Sequence, residues 1–228
     1  MSDMDGILVV DKPKGMTSHD VVDFVRRNFG VKKAGHAGTL DPAVTGVLVL
    51  LIGKATKSSS KLTANDKEYE AVMTLGRKTD TGDAEGKTVA TGDWSGMTEE
   101  RIRRAFKGFE GDIPQVPPMV SAIRHKGRRL YELARKGKEV PREPRIISIK
   151  ELEIKKISLP DIHFRVKCSK GTYIRKLCDD IGGVLGCGAY LSSMRRTKSG
   201  EFTLEGSVSM EKLRLFSGNE LESHLRKI

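Results

Sequence analysis

A lone carboxylate stands at the centre of the run Gly35-His36-Ala37-Gly38-Thr39-Leu40-Asp41-Pro42-Ala43-Val44-Thr45-Gly46. The proline ring crowds the residue before it, which biases Asp41 towards an extended or turn conformation. The glycines let the backbone turn sharply and admit a bulky ligand. A carboxylate held in this way can accept a proton or attack carbon, so Asp41 is the candidate for the chemistry. An aspartate in a glycine-rich loop can also simply tighten its own turn. Directly after it, Val47-Leu48-Val49-Leu50-Leu51-Ile52 is a continuous apolar run. It reads as a buried strand or a buried helical segment, and either would anchor the loop.

Other chemistries lack their residues. Gly53-Lys54 is followed by Ala55 and has no glycine at the offset a phosphate loop requires. The acidic turn Asp80 to Gly86 suggests a calcium loop. With Gly86 in the glycine position, however, Thr81 replaces the first aspartate and Gly92 the terminal glutamate. The five histidines show no metal spacing with one another, and no GxSxG elbow is present. No metal-ligand or phosphate-loop pattern is visible. The three cysteines, Cys168, Cys178 and Cys187, are widely spaced and form no CxxC, which fits a reducing compartment.

The 41 Lys and Arg residues against 30 Asp and Glu leave a net charge of +11 on a 228-residue chain. That excess points to a polyanionic partner, with nucleic acid first among them. The N-terminus, with Asp3 and Asp5, is unlike a signal peptide. No apolar run reaches the ~18 residues of a membrane span. A cytoplasmic protein without membrane contact is expected.

The elements that must position Asp41 can be read in order. Ile7 to Val10 is a short strand ending at Asp11-Lys12-Pro13-Lys14-Gly15. Ser18 is suited to cap a helix striped by Val21, Val22, Phe24 and Val25. Gly53 to Asn65 reads as a short surface helix or loop. Lys67 to Leu75 is a strand with Tyr69, Ala71, Met73 and Leu75 alternating onto one face. An acidic turn and a return strand through Val89 follow, and Thr98 opens a helix striped by Ile102, Ala105 and Phe106. Pro114, Pro117 and Pro118 force an extended connection. Met119 to Ile123 is predicted as a strand and Leu130 to Lys136 as a short helix. Strands over Ile146 to Ile157 and Ile162 to Cys168 lead to a helix carrying Ile174, Leu177 and Ile181, which Gly182 to Gly188 should break. Leu191 to Thr203 reads as two closing strands, followed by a helix near Met210 to Phe216 and a charged tail. Without a βαβ rhythm, this mixture predicts an α+β fold: a largely antiparallel sheet flanked by helices and long functional loops.

Several ordered segments resemble the TruB family of tRNA pseudouridine synthases. They are Asp11-Lys12-Pro13-x-Gly15-Met16-Thr17-Ser18, Gly35 to Pro42, Lys67-Glu68-Tyr69 and Thr79-Asp80-Thr81-x-Asp83. The series continues with Pro114-Gln115-x-Pro117-Pro118-x-x-Ser121-Ala122, Gly171-Thr172-Tyr173-Ile174-Arg175 and Met194-Arg195-Arg196. Met194 stands where leucine is usual, a swap that keeps an apolar wall. The resemblance implies the pseudouridine synthase catalytic fold and conversion of a uridine in the tRNA T loop, position 55 in tRNA numbering, to pseudouridine without a cofactor. By the same resemblance Asp41, Tyr69 and Arg175 are catalytic, with Arg175 keeping the carboxylate ionised. Tyr69 is the platform for a flipped base. Lys12, Pro13, His36, Asp83, Tyr173, Met194 and Arg196 are expected to bind substrate.

The most basic stretch, Arg124 to Arg145, contains Lys126, Arg128 and Arg129 beside Gly127 and Gly137. It reads as a mobile insertion, rather than a packed element, that meets phosphates of the T arm. The expectation is one catalytic domain over residues 1–228, without an appended RNA-binding domain, acting as a monomer on tRNA. Two alternatives stand beside it: the catalytic subunit of a guide-RNA pseudouridylation particle, and a non-catalytic tRNA-binding or tRNA-folding protein.

Overall fold

The computed structural model describes residues 4–227. The chain begins with β1 (Gly6–Lys12), α1 (Ser18–Asn28), β2 (Ala34–His36) and β3 (Thr45–Ile52). A 3₁₀ turn (Gly53–Ser58), α2 (Ser59–Thr63), β4 (Lys67–Leu75), β5 (Arg77–Thr79) and β6 (Thr88–Thr91) follow. Next come α3 (Glu99–Lys107), β7 (Gly111–Gln115), β8 (Arg124–His125), β9 (Arg128–Arg129) and α4 (Leu130–Ala134). The long pair β10 (Arg145–Ser158) and β11 (Asp161–Cys168) leads to α5 (Ile174–Leu185) and β12 (Ala189–Ser199). The last elements are β13 (Phe202–Thr203), β14 (Val208–Ser209), α6 (Met210–Leu213) and α7 (Gly218–Ser223).

These elements fall into two compact units, Met1–Glu70 with Met194–Ile228, and Ala71–Ser193. In the first, the strand order is β14-β1-β3-β12-β4, with β2 on β3 and β13 on β12. The β1–β3 pair is antiparallel, whereas β14 joins β1 and β12 joins β3 in parallel. In the second, β12-β4-β11-β10-β7 run in order, and β10 pairs antiparallel with both neighbours. The fold is α+β with a mostly antiparallel sheet, as the mixed pattern predicts.

The apolar run after the Asp41 loop is a strand, and every residue from Gly46 to Ile52 is buried. Its side chains point alternately to two faces, so an unbroken apolar run means that both faces are covered. On one face Val47, Val49 and Leu51 pack with Ile7, Val9, Ala37, Ala55 and Phe202. The core of the second unit has Phe106 of α3 edge-on to Phe164 of β11, with ring centroids 5.5 Å apart. Cys168, Cys178 and Cys187 are all buried, and desolvation pushes the Cys178 thiol far above its ordinary range.

Four expectations change. Thr17, not Ser18, caps α1: its hydroxyl accepts from Asp20 N–H and the Asp20 carboxylate answers on Thr17 N–H. Met119 to Ile123 is not a strand, because its carbonyls are taken elsewhere: Val120 by Arg175, Ser121 by Tyr131 N–H and Ile123 by Leu130 N–H. Helix α5 runs through Gly182 and Gly183 to Leu185 and ends at left-handed Gly186. Gly182 is there for close packing, since a Cβ would lie 2.2 Å from Ala189 N. The tail contains α7, whose Ser217 and Glu220 form a capping box and whose Leu221 is buried.

Candidate active site

The Asp41 loop is braced from three strands and a helix of the first unit. Glycine is obligatory at Gly46, where φ is +103° and a Cβ would lie 2.2 Å from the carbonyl oxygen of Arg196. The Arg196 side chain, itself 1 % exposed, donates from Nε to Val47 O (2.7 Å) and from Nη2 to Gly38 O (3.1 Å). One guanidinium thus ties the two ends of the loop together. Lys12, 0 % exposed, donates Nζ to the carbonyls of Pro13 (2.9 Å), Met16 (2.7 Å) and Pro42 (3.4 Å). Gly15 N–H also donates to Pro42 O at 2.8 Å. Between these ties Asp41 is half-buried and closes a turn, its carbonyl accepting from Val44 N–H at 3.0 Å.

Burying two cations so close together has an electrostatic consequence. Desolvation lowers the Lys12 ammonium to a pKa of about 8; the Asp41 charge opposes that shift and Arg196 reinforces it. His36, on β2 opposite Leu50, is held below the ordinary histidine range by burial and then by Arg196. Its imidazole is therefore neutral at pH 7, and its buried Nδ1 has no hydrogen-bond partner. Pro13 and Met194 are half-buried in the same unit, and Tyr69 is buried on the alternating face of β4. Lys12 and Arg196 present no surface to a ligand. They act on the loop.

The second unit holds the rest of the set. Arg175, in the first turn of α5 and 6 % exposed, donates Nη1 to Asp83 Oδ2 (3.3 Å) and Thr81 O (3.2 Å), and Nη2 to Val120 O (2.9 Å). Asp83 also accepts from Thr81 Oγ1 (2.6 Å) and Glu85 N–H (3.1 Å). A partly buried ion pair with further hydrogen bonds on each partner is a rigid device, and loss of Asp83 would leave the buried Arg175 cation short of its counter-charge. The buried Gln115 amide brackets the Tyr173 backbone, accepting from its N–H (2.8 Å) and donating to its carbonyl (3.1 Å).

The basic stretch is more ordered than expected. β8 and β9 pair as a hairpin, with His125 opposite Arg128 and only Lys126 and Gly127 in the turn. Both turn residues have positive φ, +48° and +84°, the requirement of a type I′ turn. The hairpin presents Arg124, Lys126, Arg128 and Arg129 as exposed cations. It is tethered by α4, whose Leu130 and Leu133 are buried; hence the segment is a packed element with a charged rim.

Ser18 was missed as a site residue. From the first turn of α1 its buried hydroxyl accepts from Leu40 N–H (2.8 Å) and donates to Leu40 O (3.1 Å). Nothing local in the sequence points 22 residues ahead.

Residues 26–174 match the TruB family pseudouridylate synthase N-terminal domain, and residues 175–228 the tRNA pseudouridylate synthase B C-terminal domain. The tRNA pseudouridine synthase B of Opitutus terrae is 48 % identical over 98 % of this chain and 92 % of its own. That of Geotalea uraniireducens is 51 % identical over 91 % of this chain and 67 % of its own. Among solved structures, a Cbf5–Nop10–Gar1 complex contains a chain with a TM-score of 0.73 and 36 % identity, matching 91 % of this chain. The match spans 53 % of that longer chain. Two adjoining domain matches and identity near one half over most of the length establish membership: the chain belongs to the TruB family of pseudouridylate synthases.

Proposed function

We propose that this protein isomerises a uridine of tRNA to pseudouridine, at position 55 in the T loop. The N1–C1′ bond of the nucleoside breaks, the uracil turns, and a C5–C1′ bond forms. N1 gains a proton and C5 loses one, so mass is conserved and no redox partner is needed. Asp41 supplies the carboxylate as base or nucleophile. Tyr69 is the aromatic platform for the flipped base, and Arg175 completes the catalytic set as the cation that the family assigns to that carboxylate. Pro13, His36, Asp83, Tyr173 and Met194 surround the substrate, while Lys12 and Arg196 shape the loop from beneath. Lys126, Arg128 and Arg129 meet T-arm phosphates, and the hairpin carrying them closes over the RNA. The protein acts as a monomer, in the cytoplasm.

One observation carries this reading: a carboxylate whose loop is tied at both ends by a buried guanidinium and at its centre by a buried ammonium. Binding RNA needs no carboxylate, and holding one so rigidly suits chemistry rather than recognition. The test uses an unmodified tRNA transcript tritiated at uridine C5, without guide RNA. Release of tritium in multiple turnovers is expected, because C5 loses its hydrogen. Release only with an added guide RNA would favour the particle subunit, and none at all the RNA-binding reading.

A further inference from the structure

We propose that Ser18 is a positioning residue for the Asp41 carboxylate. The direction in which a side chain leaves its Cα is fixed by the two peptide planes that flank it, since they set φ and ψ. At Asp41 both planes are pinned. The plane before it contains the Leu40 carbonyl, which accepts the Ser18 hydroxyl proton at 3.1 Å. The plane after it contains the Asp41 carbonyl, which accepts from Val44 N–H at 3.0 Å. Ser18 Oγ also accepts from Leu40 N–H at 2.8 Å and so holds the plane before Leu40 as well. One hydroxyl thus governs two consecutive peptide planes leading into the reactive residue.

The placement is specific to a hydroxyl on the first turn of α1. Ser18 is 2 % exposed and Leu40 3 %, so no water can replace the bonds cheaply. The helix does not need Ser18 for its own start, because Thr17 and Asp20 provide the capping box. The hydroxyl is therefore free of capping duty and spends both hydrogen-bonding functions on Leu40. Without it, Leu40 loses the partners of its N–H and C=O, the plane before Asp41 can tilt, and the carboxylate swings away from its target. An error of about 1 Å in such a group slows chemistry on the order of 10²-fold.

This role rests on the isomerase reading, and the experiment separates the two. Ser18→Ala and Thr17→Ala are compared with the wild-type chain under single turnover at saturating tRNA, with tRNA affinity measured alongside. Ser18→Ala is expected to turn over roughly ten- to hundred-fold more slowly, with affinity within about threefold of wild type. Thr17→Ala loosens the same helix by removing its cap but leaves the Leu40 bonds, and should keep a near-wild-type rate. A wild-type rate in Ser18→Ala, or an equal loss in Thr17→Ala, overturns the proposal, the second by showing that helix loosening alone accounts for the effect. Should Ser18→Ala not fold, Ser18→Cys is read by the same criterion, since its thiol fills the site but hydrogen-bonds weakly. No product from wild type refutes the isomerase reading itself; product from wild type with full speed in the Ser18 variants refutes only the positioning role.

Discussion

The Asp41 loop and the Lys126–Gly127 hairpin are both short glycine-containing turns with side chains proposed to function, and they are built in opposite ways. Around Asp41 the ties come from residues far along the chain: Arg196 reaches Gly38 and Val47, Lys12 reaches Pro42, and Ser18 reaches Leu40. At the hairpin the bonds are local, and the cations point to solvent. The contrast follows from what each is proposed to do. A reacting carboxylate tolerates little positional error, whereas phosphate recognition works through charge at a distance and accepts adjustment. Rigidity is concentrated where the proposed mechanism has bonds change.

Five variants can break or sharpen this contrast. The largest effect belongs to Asp41→Asn, which keeps the shape but removes basicity and nucleophilicity. Turnover should fall on the order of 10⁴-fold, to the edge of detection, with tRNA affinity within a few fold. Measurable multiple turnover by the purified variant would remove Asp41 from the chemistry. Next is Gly46→Ala, whose Cβ would stand 2.2 Å from Arg196 O at a φ of +103°. It should destabilise the chain by about 3 kcal/mol or more in denaturant titration. The matched change Gly127→Ala has a φ of +84° but meets nothing within 4 Å, and should lose only about 1 kcal/mol. Equal losses at the two glycines would mean the loops are equally braced.

Lys12 provides a pH test. Above about pH 8 its ammonium loses its proton, the three-carbonyl tie weakens, and the rate at saturating RNA should decline through that pH. Lys12→Met should be slow, without that limb. Stability moves the other way. From about pH 8 up to the ordinary lysine range the unfolded chain holds a proton that the folded chain has released. The Lys12 contribution to stability therefore rises with pH across that window. The smallest effect on rate is expected at the hairpin. Replacing Lys126, Arg128 and Arg129 together with alanine should weaken tRNA binding and flatten its salt slope by roughly 0.7–0.9 per lost phosphate contact. The rate at saturating RNA should barely change. An unaltered slope would leave the hairpin without a role in holding RNA.

Legibility from sequence follows the range of the interactions. The alternation of Tyr69, Ala71, Met73 and Leu75 predicts β4 correctly because period two is a local signal. Thr98 and the two glutamates after it predict the start of α3 for the same reason. Asp41 is conspicuous because its neighbours are glycine and proline. What was illegible is what holds it: Ser18 acts on a residue 22 positions away and Arg196 on one 158 away. The strand expected at Met119 to Ile123 has apolar residues but no neighbouring strand, since its carbonyls serve Arg175 and the α4 segment. Gly127 suggests mobility; with Lys126 in the left-handed region it is instead the second residue of a hairpin turn. Helix α7 had its signal in Ser217 and Glu220, obscured by the surrounding charge.

The three sequestered thiols give the molecule an internal clock. Cys168 and Cys187 are 1 % and 3 % exposed and Cys178 is 0 %, its thiolate strongly disfavoured by burial. An alkylating reagent cannot reach any of them until the structure around them opens. Labelling in native buffer should therefore proceed at the pace of opening rather than of thiol chemistry. All three cysteines belong to the unit Ala71–Ser193, so the clock times that unit and leaves the Asp41 loop unmarked. Mass spectrometry of partly labelled protein, with and without bound RNA, would then show whether the ligand slows the opening of a region that carries none of the braces around Asp41.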